Sequence, residues 1–392
     1  NPSSDRWADP VELRSRRSES GWEQVEEDGA NRPCRRIPVG AFATMNDTTP
    51  TLDTPPGSTD PDQLMGMAIA AAQRVRVTAR PNPWVGAVVL SEDGIVIADG
   101  ATEPVGGRHA EVVALEAAGE RARGGTLVVT LEPCSHHGRT PPCVDAVIAA
   151  GVARVLIGVE DPDPRVSGQG VRRLREAGVE VTTGVASDTV AEQLAAYLHQ
   201  RRTGRPMVIA KMAATLDGRT AAPDGTSNWI SGEEARREVH QMRAESDVVL
   251  VGAGTVRADD PRLTVRDADG PDPLRVVLGA APEGAKVHPC LQWTDTPEAL
   301  LDQLGSEGHL QLLVEGGAET IATLLERDLV DCLVVYLAPS IHGGSSGHHL
   351  VGGVGATTIS ELRRGRFLSV RQVGEDIRVE FDPRMGSNGE ER

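Results

Sequence analysis

Residues 109–143 read HAEVVALEAAGERARGGTLVVTLEPCSHHGRTPPC. The candidate zinc ligands in this stretch are the imidazole of His109 and the thiols of Cys134 and Cys143, and Glu111 offers a carboxylate that need not bind the metal. A catalytic zinc requires three protein ligands, an open fourth position for water and a proton carrier beside it. The stretch therefore predicts a catalytic zinc site.

Strands and helices alternate on both sides of this stretch. Apolar residues at helical spacing predict a helix from Asp62, with Asp60 as its cap, and the turn signal at 91–94 predicts a hairpin. The alternation after the hairpin predicts a sheet covered by helices on both faces. The predicted strands are 84–90, 95–98, 126–131, 154–159 and 179–183, and the predicted helices are 109–118, 144–150, 170–177 and 188–199.

A short polar break at 201–206 separates this series from a second alternating series that begins at Met207. A chain of 392 residues is expected to form about two domains. We therefore predict one domain at 61–203 and another at 204–383. The predicted strands of the second domain are 207–213, 248–251, 274–278, 310–314, 332–338, 368–373 and 377–381, and its predicted helices are 233–244, 297–304 and 319–327.

Both ends of the chain are predicted to be disordered tails. Residues 1–60 lack a sustained apolar period, so they cannot bury enough surface to offset the entropy of ordering. Residues 384–392 form the second predicted tail. Within the first tail, Met45 has the features of a more natural start than Asn1, which we state as a hypothesis.

The composition favours small molecules as partners. A net charge of -17 argues against broad attachment to nucleic acid, and the scarcity of Tyr and Phe leaves few platforms for stacking bases. The five cysteines are odd in number and widely spread, which fits a reducing cytoplasm. No run approaches the ~20 apolar residues of a membrane helix. We expect a cytoplasmic protein that binds neither nucleic acid nor membrane and forms a homo-oligomer.

A His-x-Glu pair alone is a weak signal, because it also occurs on ordinary surface helices. Its combination with Pro133-Cys134 at the end of a predicted strand makes the zinc prediction much stronger. The alternative is a closed structural site, in which Glu111, His136 or His137 supplies a fourth ligand and zinc only stabilises the fold.

Two glycine-containing turns in the second series follow predicted strands and open onto helices. They are Val-Gly-Ala-Gly-Thr at 251–255 and Val-Glu-Gly-Gly-Ala-Glu-Thr at 314–320. Backbone N–H groups and the helix dipole at such turns can receive phosphate oxygens, which predicts a nucleotide-like ligand. Neither turn is the Gly-x-Gly-x-x-Gly fingerprint, so a Rossmann fold is not indicated. Charged side chains near these strands are most often solvated or salt-bridged, and they include Lys211, Asp217, Arg219, Asp259 and Asp260.

The run 131–143 resembles a block of the bifunctional riboflavin-biosynthesis deaminase/reductases, as do Pro-Asn-Pro-Trp-Val-Gly at 81–86 and Asp-Pro-Asp-Pro at 161–164. The deaminase half of that family is similar to the cytidine deaminases, whose usual motif is Pro-Cys-x-x-Cys. Here eight residues separate the two cysteines. The resemblance implies an α/β fold, with a cytidine-deaminase-like three-layer α/β/α domain first. It also implies that zinc is held by His109, Cys134 and Cys143, that Glu111 is the proton carrier and that Asn82 contacts the pyrimidine.

Two features of the deaminase half stay open. His136, His137 and Arg139 either contact the ribose phosphate of the substrate or are only loop residues. The family often places a His after a Gly-aromatic pair shortly before His-Ala-Glu, whereas this chain has Gly-Ala-Thr at 100–102. One ribose contact therefore departs from the family pattern at Thr102.

Blocks of the second series are similar to the reductase half of the same family, which has a dihydrofolate-reductase-like α/β fold. These blocks are 211–220, 227–230, 258–261, 263–266 and 315–317. The resemblance implies hydride transfer from NADPH, with Lys211, Asp259 and Glu315 as unranked candidates for proton handling. The implied cofactor contacts are Ala213, Trp229, Thr255, Asp259, Gly317, Ala318, Glu319, Thr320, Ile321, Ala322 and Thr323. The implied substrate contacts are Ser227, Arg243, Leu263, Arg266 and Glu315.

The resemblance covers roughly 62–383 and implies a bifunctional enzyme. Its first reaction is zinc-dependent hydrolytic deamination of a phosphoribosylamino-diaminopyrimidinone, and its second is NADPH reduction of the ribosyl side chain to ribityl. Two alternatives are a nucleic-acid base deaminase with an appended ligand domain and a zinc-stapled NADP-binding regulator without turnover. The acidic charge and the eight-residue spacing of the cysteines disfavour the nucleic-acid deaminase.

Overall fold

The computed structural model of this chain describes residues 60–138, 141–163 and 166–384. The predictions of disordered tails, of a start at Met45 and of a role for Arg139 concern positions that lie outside the described residues, apart from Asp60 and Arg384 at the edges. None of the helices in the described ranges is long and apolar enough to cross a membrane.

Five strands in the first part of the chain form one mixed sheet. They are β1 (Gly86–Leu90), β2 (Val96–Ala101), β3 (Thr126–Leu131), β4 (Arg154–Val159) and β5 (Glu180–Thr183). Their order across the sheet is β2-β1-β3-β4-β5, and β1 is antiparallel to both of its neighbours. The predicted hairpin is therefore confirmed, and β3, β4 and β5 are parallel, as expected for strands linked through helices.

Six helices accompany this sheet. They are α1 (Pro61–Gln73), α2 (Ala110–Ala118), α3 (Cys143–Ala150), α4 (Gln169–Glu176), α5 (Ser187–Gln193) and α6 (Ala195–Thr203). The start of α1 was predicted correctly: the Asp60 side chain accepts a hydrogen bond from the backbone N–H of Asp62.

The prediction of one continuous helix over 188–199 is wrong, because the chain leaves the helical path at Leu194 between α5 and α6. The cause is a reciprocal pair of hydrogen bonds with the first strand region. The Trp84 indole donates to the Gln193 carbonyl at 2.9 Å, and the Gln193 amide donates back to the Trp84 carbonyl at 2.9 Å. The Gln193 carbonyl is thus bound by a distant side chain at the point where the helix breaks.

An eight-stranded sheet fills the second part of the chain. Its strands are β6 (Met207–Thr215), β8 (Val248–Gly252), β9 (Leu274–Leu278), β10 (Leu291–Trp293), β11 (Gln311–Glu315), β12 (Cys332–Ala338), β14 (Arg366–Val373) and β15 (Asp376–Asp382). Their order across the sheet is β10-β9-β8-β11-β6-β12-β15-β14. The six strands from β10 to β12 in this order are parallel, and β15 and β14 complete the sheet in antiparallel fashion. A two-stranded ribbon pairs β7 (Arg219–Ala221) with β13 (His348–His349).

Four helices belong to this second sheet: α7 (Glu233–Ala244), α8 (Ala253–Asp259), α9 (Pro297–Ser306) and α10 (Ala318–Glu326). Helix α8 and the strands β7, β10 and β13 were not predicted. The three strands have three residues or fewer, and α8 with seven residues spans only about two helical turns, so none of them gives a clear periodic signal. Helix α8 places Thr255 and Asp259 beside the glycine turn that ends β8.

The two parts of the chain share packing surface. Leu310, just before β11, belongs to the hydrophobic cluster that also contains the buried residues of the first sheet. The Gln200 amide on α6 donates to the Gly305 carbonyl at 3.1 Å. A Cβ on Gly305 would lie 1.8 Å from the Gly204 carbonyl oxygen, so only glycine fits there. The division into domains at 61–203 and 204–383 stays a prediction.

Candidate active sites

The three predicted zinc ligands lie together in the first part of the chain. His109 is the residue before α2, Cys134 lies in the loop after β3, and Cys143 is the first residue of α3. The Nδ1 atom of His109 is 3.1 Å from the Cys143 Sγ and 3.6 Å from the Cys134 Sγ. All three ligand atoms fall within 4.8 Å of one another, and one divalent ion can contact them simultaneously. One nitrogen and two sulfurs form a donor set typical of catalytic zinc.

Cys143 is the first residue of α3, and the Cys134 thiol reaches the same helix end from the loop after β3. The Cys134 sulfur accepts a hydrogen bond from the backbone N–H of Cys143 at 3.3 Å, so it caps that helix from the neighbouring loop. The hydrogen bond between the thiols lowers the pKa of Cys134 to about 4 and raises the pKa of buried Cys143. A dication bound there would hold both sulfurs as thiolates.

Glu111 lies in the first turn of α2 and is buried beside the ligands. Burial raises the pKa of its carboxyl to about 7, and the nearby Cys134 sulfur contributes to the rise. A carboxyl group with such a pKa can both accept and release a proton near neutral pH. Glu111 is not one of the three clustered ligands, so it is free for this role.

Neither His136 nor His137 joins the ligand group formed by the described residues. This counts against a closed site with a fourth imidazole ligand. The Nδ1 atom of His136 is buried, and it has no hydrogen-bond partner in the part of the chain that the structure describes. An unpartnered buried nitrogen is costly unless something else binds it.

Glu132, which sequence reasoning missed, fixes the loop that carries Cys134. Its buried carboxylate accepts backbone N–H groups from Asp161, Gly168, Gly170 and Val171 at 2.9 to 3.2 Å. A Cβ on Gly170 would lie 2.2 Å from the carbonyl oxygen of Pro133, so the close approach requires glycine. Asp161, Gly168 and the first turn of α4 are therefore anchored directly to the loop that carries Cys134.

The remaining predicted residues of the first site differ in accessibility. Asn82 is half-buried in the turn after α1, and its backbone N–H donates to the Ala79 carbonyl. Thr102 is buried, and its hydroxyl accepts the backbone N–H of Val85 at 3.1 Å. The Thr102 side chain therefore closes a backbone contact at the end of β2, where many relatives were expected to place a ligand-binding His.

A cavity of about 830 Å³ lies in the second part of the chain. Most of the residues predicted to contact cofactor or substrate line it. These are Lys211, Ala213, Ser227, Trp229, Arg243, Thr255, Asp259, Arg266, Glu315, Gly317, Ala318, Glu319 and Thr320. The volume is within the usual range for a small-molecule site.

Four predicted residues do not line this cavity: Leu263, Ile321, Ala322 and Thr323. Leu263 is buried in a separate cluster and has a positive φ of 55°. Ile321 and Ala322 are buried on α10, and Thr323 is exposed with its hydroxyl donating to the Glu319 carbonyl. A motif carried over as a continuous run cannot distinguish the helix face that meets a ligand from the face that meets the core.

The two glycine turns, each of which follows a strand and opens onto a helix as predicted, meet at this cavity. A Cβ on Gly252 would lie 2.3 Å from the Thr320 hydroxyl, and a Cβ on Gly317 would lie 2.8 Å from the Thr255 hydroxyl. Gly317 also has a positive φ of 73°. The turns before α8 and α10 therefore approach each other so closely that only glycine fits at Gly252 and Gly317.

The cavity contains a group of paired charges. Arg243 donates from Nε to one oxygen of Glu315 and from Nη2 to the other at 2.7 Å, and its Nη1 donates to the Thr264 carbonyl. Burial alone would raise the pKa of Glu315, but Arg243 holds it below its usual value. Burial lowers the pKa of Lys211, whose ammonium lies 5.8 Å from the centre of the Tyr336 ring.

His240 was not identified from the sequence, yet it lines the cavity and holds Arg266. Its Nδ1 accepts the backbone N–H of Arg266 at 3.1 Å, and its Nε2 lies 3.4 Å from a carboxylate oxygen of Asp267. Nδ1 is therefore the acceptor nitrogen, which leaves the proton on Nε2. The only signal in the sequence was the position of His240 on the apolar face of a predicted helix, which also fits an ordinary core residue.

At the rim of the cavity, Trp229 is 72% exposed and the Arg236 guanidinium lies 4.7 Å from the centre of its ring. Asp259 is at the end of α8, and burial raises the pKa of its carboxyl. An exposed indole beside a cavity is available to a planar ligand.

Two protein families match separate parts of this chain. The cytidine and deoxycytidylate deaminase zinc-binding region matches residues 58–159, and the RibD C-terminal domain matches residues 206–379. The first region contains the His109, Cys134 and Cys143 group, and the second contains the residues around the large cavity.

Similar proteins of known name span both regions. The riboflavin biosynthesis protein RibD of Mycobacterium tuberculosis (strain ATCC 25618 / H37Rv) is 43% identical over 328 residues, which cover 81% of this chain and 95% of the relative. The protein of the same name from Escherichia coli (strain K12) is 38% identical over 359 residues, covering 81% of this chain and 97% of the relative.

Solved structures agree with these matches. Acinetobacter baumannii RibD has a TM-score of 0.75 at 35% identity and covers 82% of this chain and 98% of its own. A diaminohydroxyphosphoribosylaminopyrimidine deaminase/5-amino-6-(5-phosphoribosylamino)uracil reductase from Thermotoga maritima gives the same TM-score, identity and coverage.

Proposed function

Because this chain belongs to the family of bifunctional riboflavin-biosynthesis deaminase/reductases, a zinc-dependent deaminase joined to an NADPH-dependent reductase, we propose that its two sites act in succession on one phosphorylated pyrimidine. The fold is α/β, with a cytidine-deaminase-like domain followed by a dihydrofolate-reductase-like domain. We therefore set aside the two alternative hypotheses, which were a zinc-stapled NADP-binding regulator without turnover and a nucleic-acid base deaminase with an appended ligand domain.

The Thermotoga maritima relative is named for its two substrates, and we propose the same substrates for this chain. The observation that carries the proposal is the His109, Cys134 and Cys143 group with buried Glu111 beside it. Zinc, when bound, supplies a Lewis acid that activates water toward the amino-bearing ring carbon. Glu111 takes a proton from that water and delivers a proton to the departing amine, so that ammonia leaves.

We place Asn82 at the pyrimidine ring, since it is half-buried in the turn that follows α1. His136 is the second candidate contact, because its buried Nδ1 lacks a protein partner in the described ranges. An imidazole in that state can receive a hydrogen bond from a ligand hydroxyl or donate one to a ligand oxygen.

In the second site, the cavity lining supports assignment of the cofactor to the paired glycine turns. Ala213, Trp229, Thr255 and Asp259 would complete that side, together with the run Gly317–Thr320. NADPH, when bound, supplies the hydride for the C1′ carbon of the opened ribose. Leu263, Ile321, Ala322 and Thr323 would contribute through backbone groups or through packing, because their side chains are directed elsewhere.

The substrate side contains Ser227, Arg266 and the Arg243–Glu315 pair. Glu315 is bound at both oxygens by Arg243 and stays ionised, so it is a poor proton donor at neutral pH. Lys211 carries protons in the same cavity and its pKa is lowered by burial. We therefore rank Lys211 above Asp259 and Glu315 as the group that protonates the opening ribose oxygen.

Three further assignments are part of the proposal. Strand β14 is an edge of the eight-stranded sheet, with Phe367 68% and Val370 59% exposed, and this edge suits a homo-oligomer contact. The described cysteines, Cys134, Cys143, Cys290 and Cys332, are free thiols, which supports a reducing cytoplasm. The acidic charge of the chain supports a function without nucleic acid.

A two-step assay on the purified protein tests the proposed function. The first step measures ammonia released from the diaminopyrimidine substrate without NADPH, and the second measures NADPH oxidation after the deaminated product has formed. We expect both signals from one protein preparation. Ammonia release without later NADPH oxidation would reject the coupled reaction.

A further inference from the structure

The two parts of the chain meet where the segment after α1 lies against the end of α7. Arg80, whose side chain is 7% exposed, donates from Nη2 to the Ala244 carbonyl at 2.5 Å. Its Nη1 lies 3.4 Å from a carboxylate oxygen of Asp247. The last carbonyls of a helix lack partners within the helix, and a guanidinium is well suited to bind them. Arg80 therefore caps α7 from the other part of the chain.

Close packing surrounds this cap. A Cβ on Gly270 would lie 2.8 Å from the Ala244 Cβ and 2.9 Å from a methyl carbon of Val77. Arg76 forms a second ion pair with Glu245 at 3.1 Å. These contacts leave little room for the end of α7 to shift independently of the segment 76–80.

Asp247 extends the contact into the large sheet. One of its carboxylate oxygens faces Arg80, and the other accepts the backbone N–H groups of Leu310 at 2.7 Å and Gln311 at 3.0 Å. Gln311 begins β11, and the same strand ends at Glu315 in the reductase cavity. Arg80 is thus connected to both members of the Arg243–Glu315 pair, through α7 on one side and β11 on the other.

Residues of both proposed sites adjoin Arg80 in sequence or in space. Asn82, the proposed pyrimidine contact, lies two residues after Arg80 in the same turn. Arg243, a proposed substrate contact of the reductase, is the residue before Ala244, and its guanidinium lines the reductase cavity. Arg80 therefore contacts or adjoins the backbone that carries each of these side chains.

We propose that Arg80 is a positioning residue for both reactions: it fixes the Asn82 turn of the deaminase against the helix end that carries Arg243 of the reductase. This inference rests on the proposed function. Its specific consequence is that a side chain in the deaminase part determines how well the reductase binds its substrate.

Arg80→Met provides the test, because it keeps the aliphatic length and removes every donor. We expect the KM of NADPH oxidation for the deaminated substrate to rise roughly tenfold, since small misplacements of binding groups have effects of this order or larger. We expect kcat to stay within about twofold and zinc content to stay at the wild-type value. Arg74→Met is the matched control, because Arg74 lies on the same segment but pairs with Asp99 inside the first part of the chain.

Two further variants keep the inference testable if Arg80→Met does not fold. Arg80→Lys keeps the charge near Asp247 and should recover part of the lost affinity. Asp247→Asn keeps an oxygen for the Leu310 and Gln311 N–H groups but weakens the pair with Arg80, and it should raise the KM of ammonia release in the other site.

The outcomes separate this inference from the proposed function. A purely structural role of Arg80 would lower thermal stability and the fraction of active protein while leaving both KM values unchanged, and that result would overturn the inference. An equal rise in KM for Arg74→Met would overturn it as well. Wild-type protein without either activity would instead reject the proposed function on which the inference rests.

Discussion

Arg243 and Glu315 form a two-point ion pair that joins the last turn of α7 to the end of β11 inside the reductase cavity. The pair stabilises the fold only while Glu315 is ionised. Its folded pKa is below the ordinary value, so its contribution is complete above the pKa of an unfolded glutamate, about 4.3, and is lost as pH falls through the folded pKa.

Glu315→Gln should lower the free energy of unfolding by about 3 kcal/mol at pH 7, because it leaves a buried guanidinium without its counter-charge. The difference between wild type and variant should shrink as pH falls below about 4. Urea unfolding of wild type and variant at a series of pH values measures the free-energy difference at pH 7 and its change with pH. If the difference in the free energy of unfolding stayed constant down to pH 3, the contribution of the pair would not depend on the ionisation of Glu315.

Glu111→Gln should retain zinc and lose ammonia release by a factor of about 10² to 10⁴, the usual range for removing a general acid–base. Cys143→Ser should lose the metal itself, because a thiolate ligand is replaced by a poor one. Metal analysis and ammonia release distinguish the two. Cys290→Ser is the matched control, since Cys290 is a free thiol outside the ligand group. If Glu111→Gln released ammonia at the wild-type rate, that result would exclude Glu111 as the proton carrier.

Lys211→Met should slow NADPH oxidation by about 10² or more and leave ammonia release at the wild-type rate, because the two sites use separate residues. The wild-type pH profile provides a second check. A proton donor is active while protonated, and burial lowers the pKa of Lys211, so kcat should fall as pH rises through a value below about 10.4. If kcat of Lys211→Met falls at high pH in the same way as kcat of the wild type, another group donates the proton.

His240→Ala should raise the KM of the reductase for its phosphorylated substrate by roughly fivefold to twentyfold, since it frees the backbone of Arg266. His240→Asn offers an amide oxygen in place of Nδ1 and should recover part of this loss. His288→Ala, at a histidine outside the large cavity, should behave as wild type. Equal KM values for all three variants would exclude a positioning role for His240.

Gly170→Ala should destabilise the protein by about 2 kcal/mol and weaken zinc retention during dialysis, because its Cβ would lie 2.2 Å from the Pro133 carbonyl oxygen. The matched control is Gly66→Ala in α1, where a Cβ meets nothing within 4 Å. That control should stabilise the protein by about 0.5 to 1 kcal/mol through helix propensity. Equal zinc retention in both variants would show that the packing of α4 against Pro133 does not support the loop that carries Cys134.

Elements with a strong local signal were predicted with the correct bounds. Strands 126–131, 154–159, 274–278 and 332–338 and helix 233–244 each agree at both ends. They are apolar runs or periodic segments of at least five residues with polar or glycine boundaries, so local sequence determines them. The grouping of His109, Cys134 and Cys143 was also predictable, because residue type and order identify it.

Features that depend on distant partners were not predictable. The break at Leu194 follows from Trp84 binding the Gln193 carbonyl, and the anchoring of the Cys134 loop depends on four N–H groups from Asp161, Gly168 and the first turn of α4. The same applies to His240, whose role appears only when Arg266 lies beside it. A single sequence contains these residues but does not show that they meet.

The position of Leu310 has a practical consequence for anyone who wishes to obtain the two enzymes as separate proteins. Leu310 lies in the part of the chain that performs reduction, yet its side chain completes the hydrophobic cluster around the deaminase sheet. Cutting the chain between α6 and β6 would leave a cavity in the hydrophobic core of the deaminase fragment. It would also leave Leu310 exposed to solvent on the reductase fragment. Independent production would therefore require redesign of both cut surfaces, and simple mixing of the fragments should favour their reassociation.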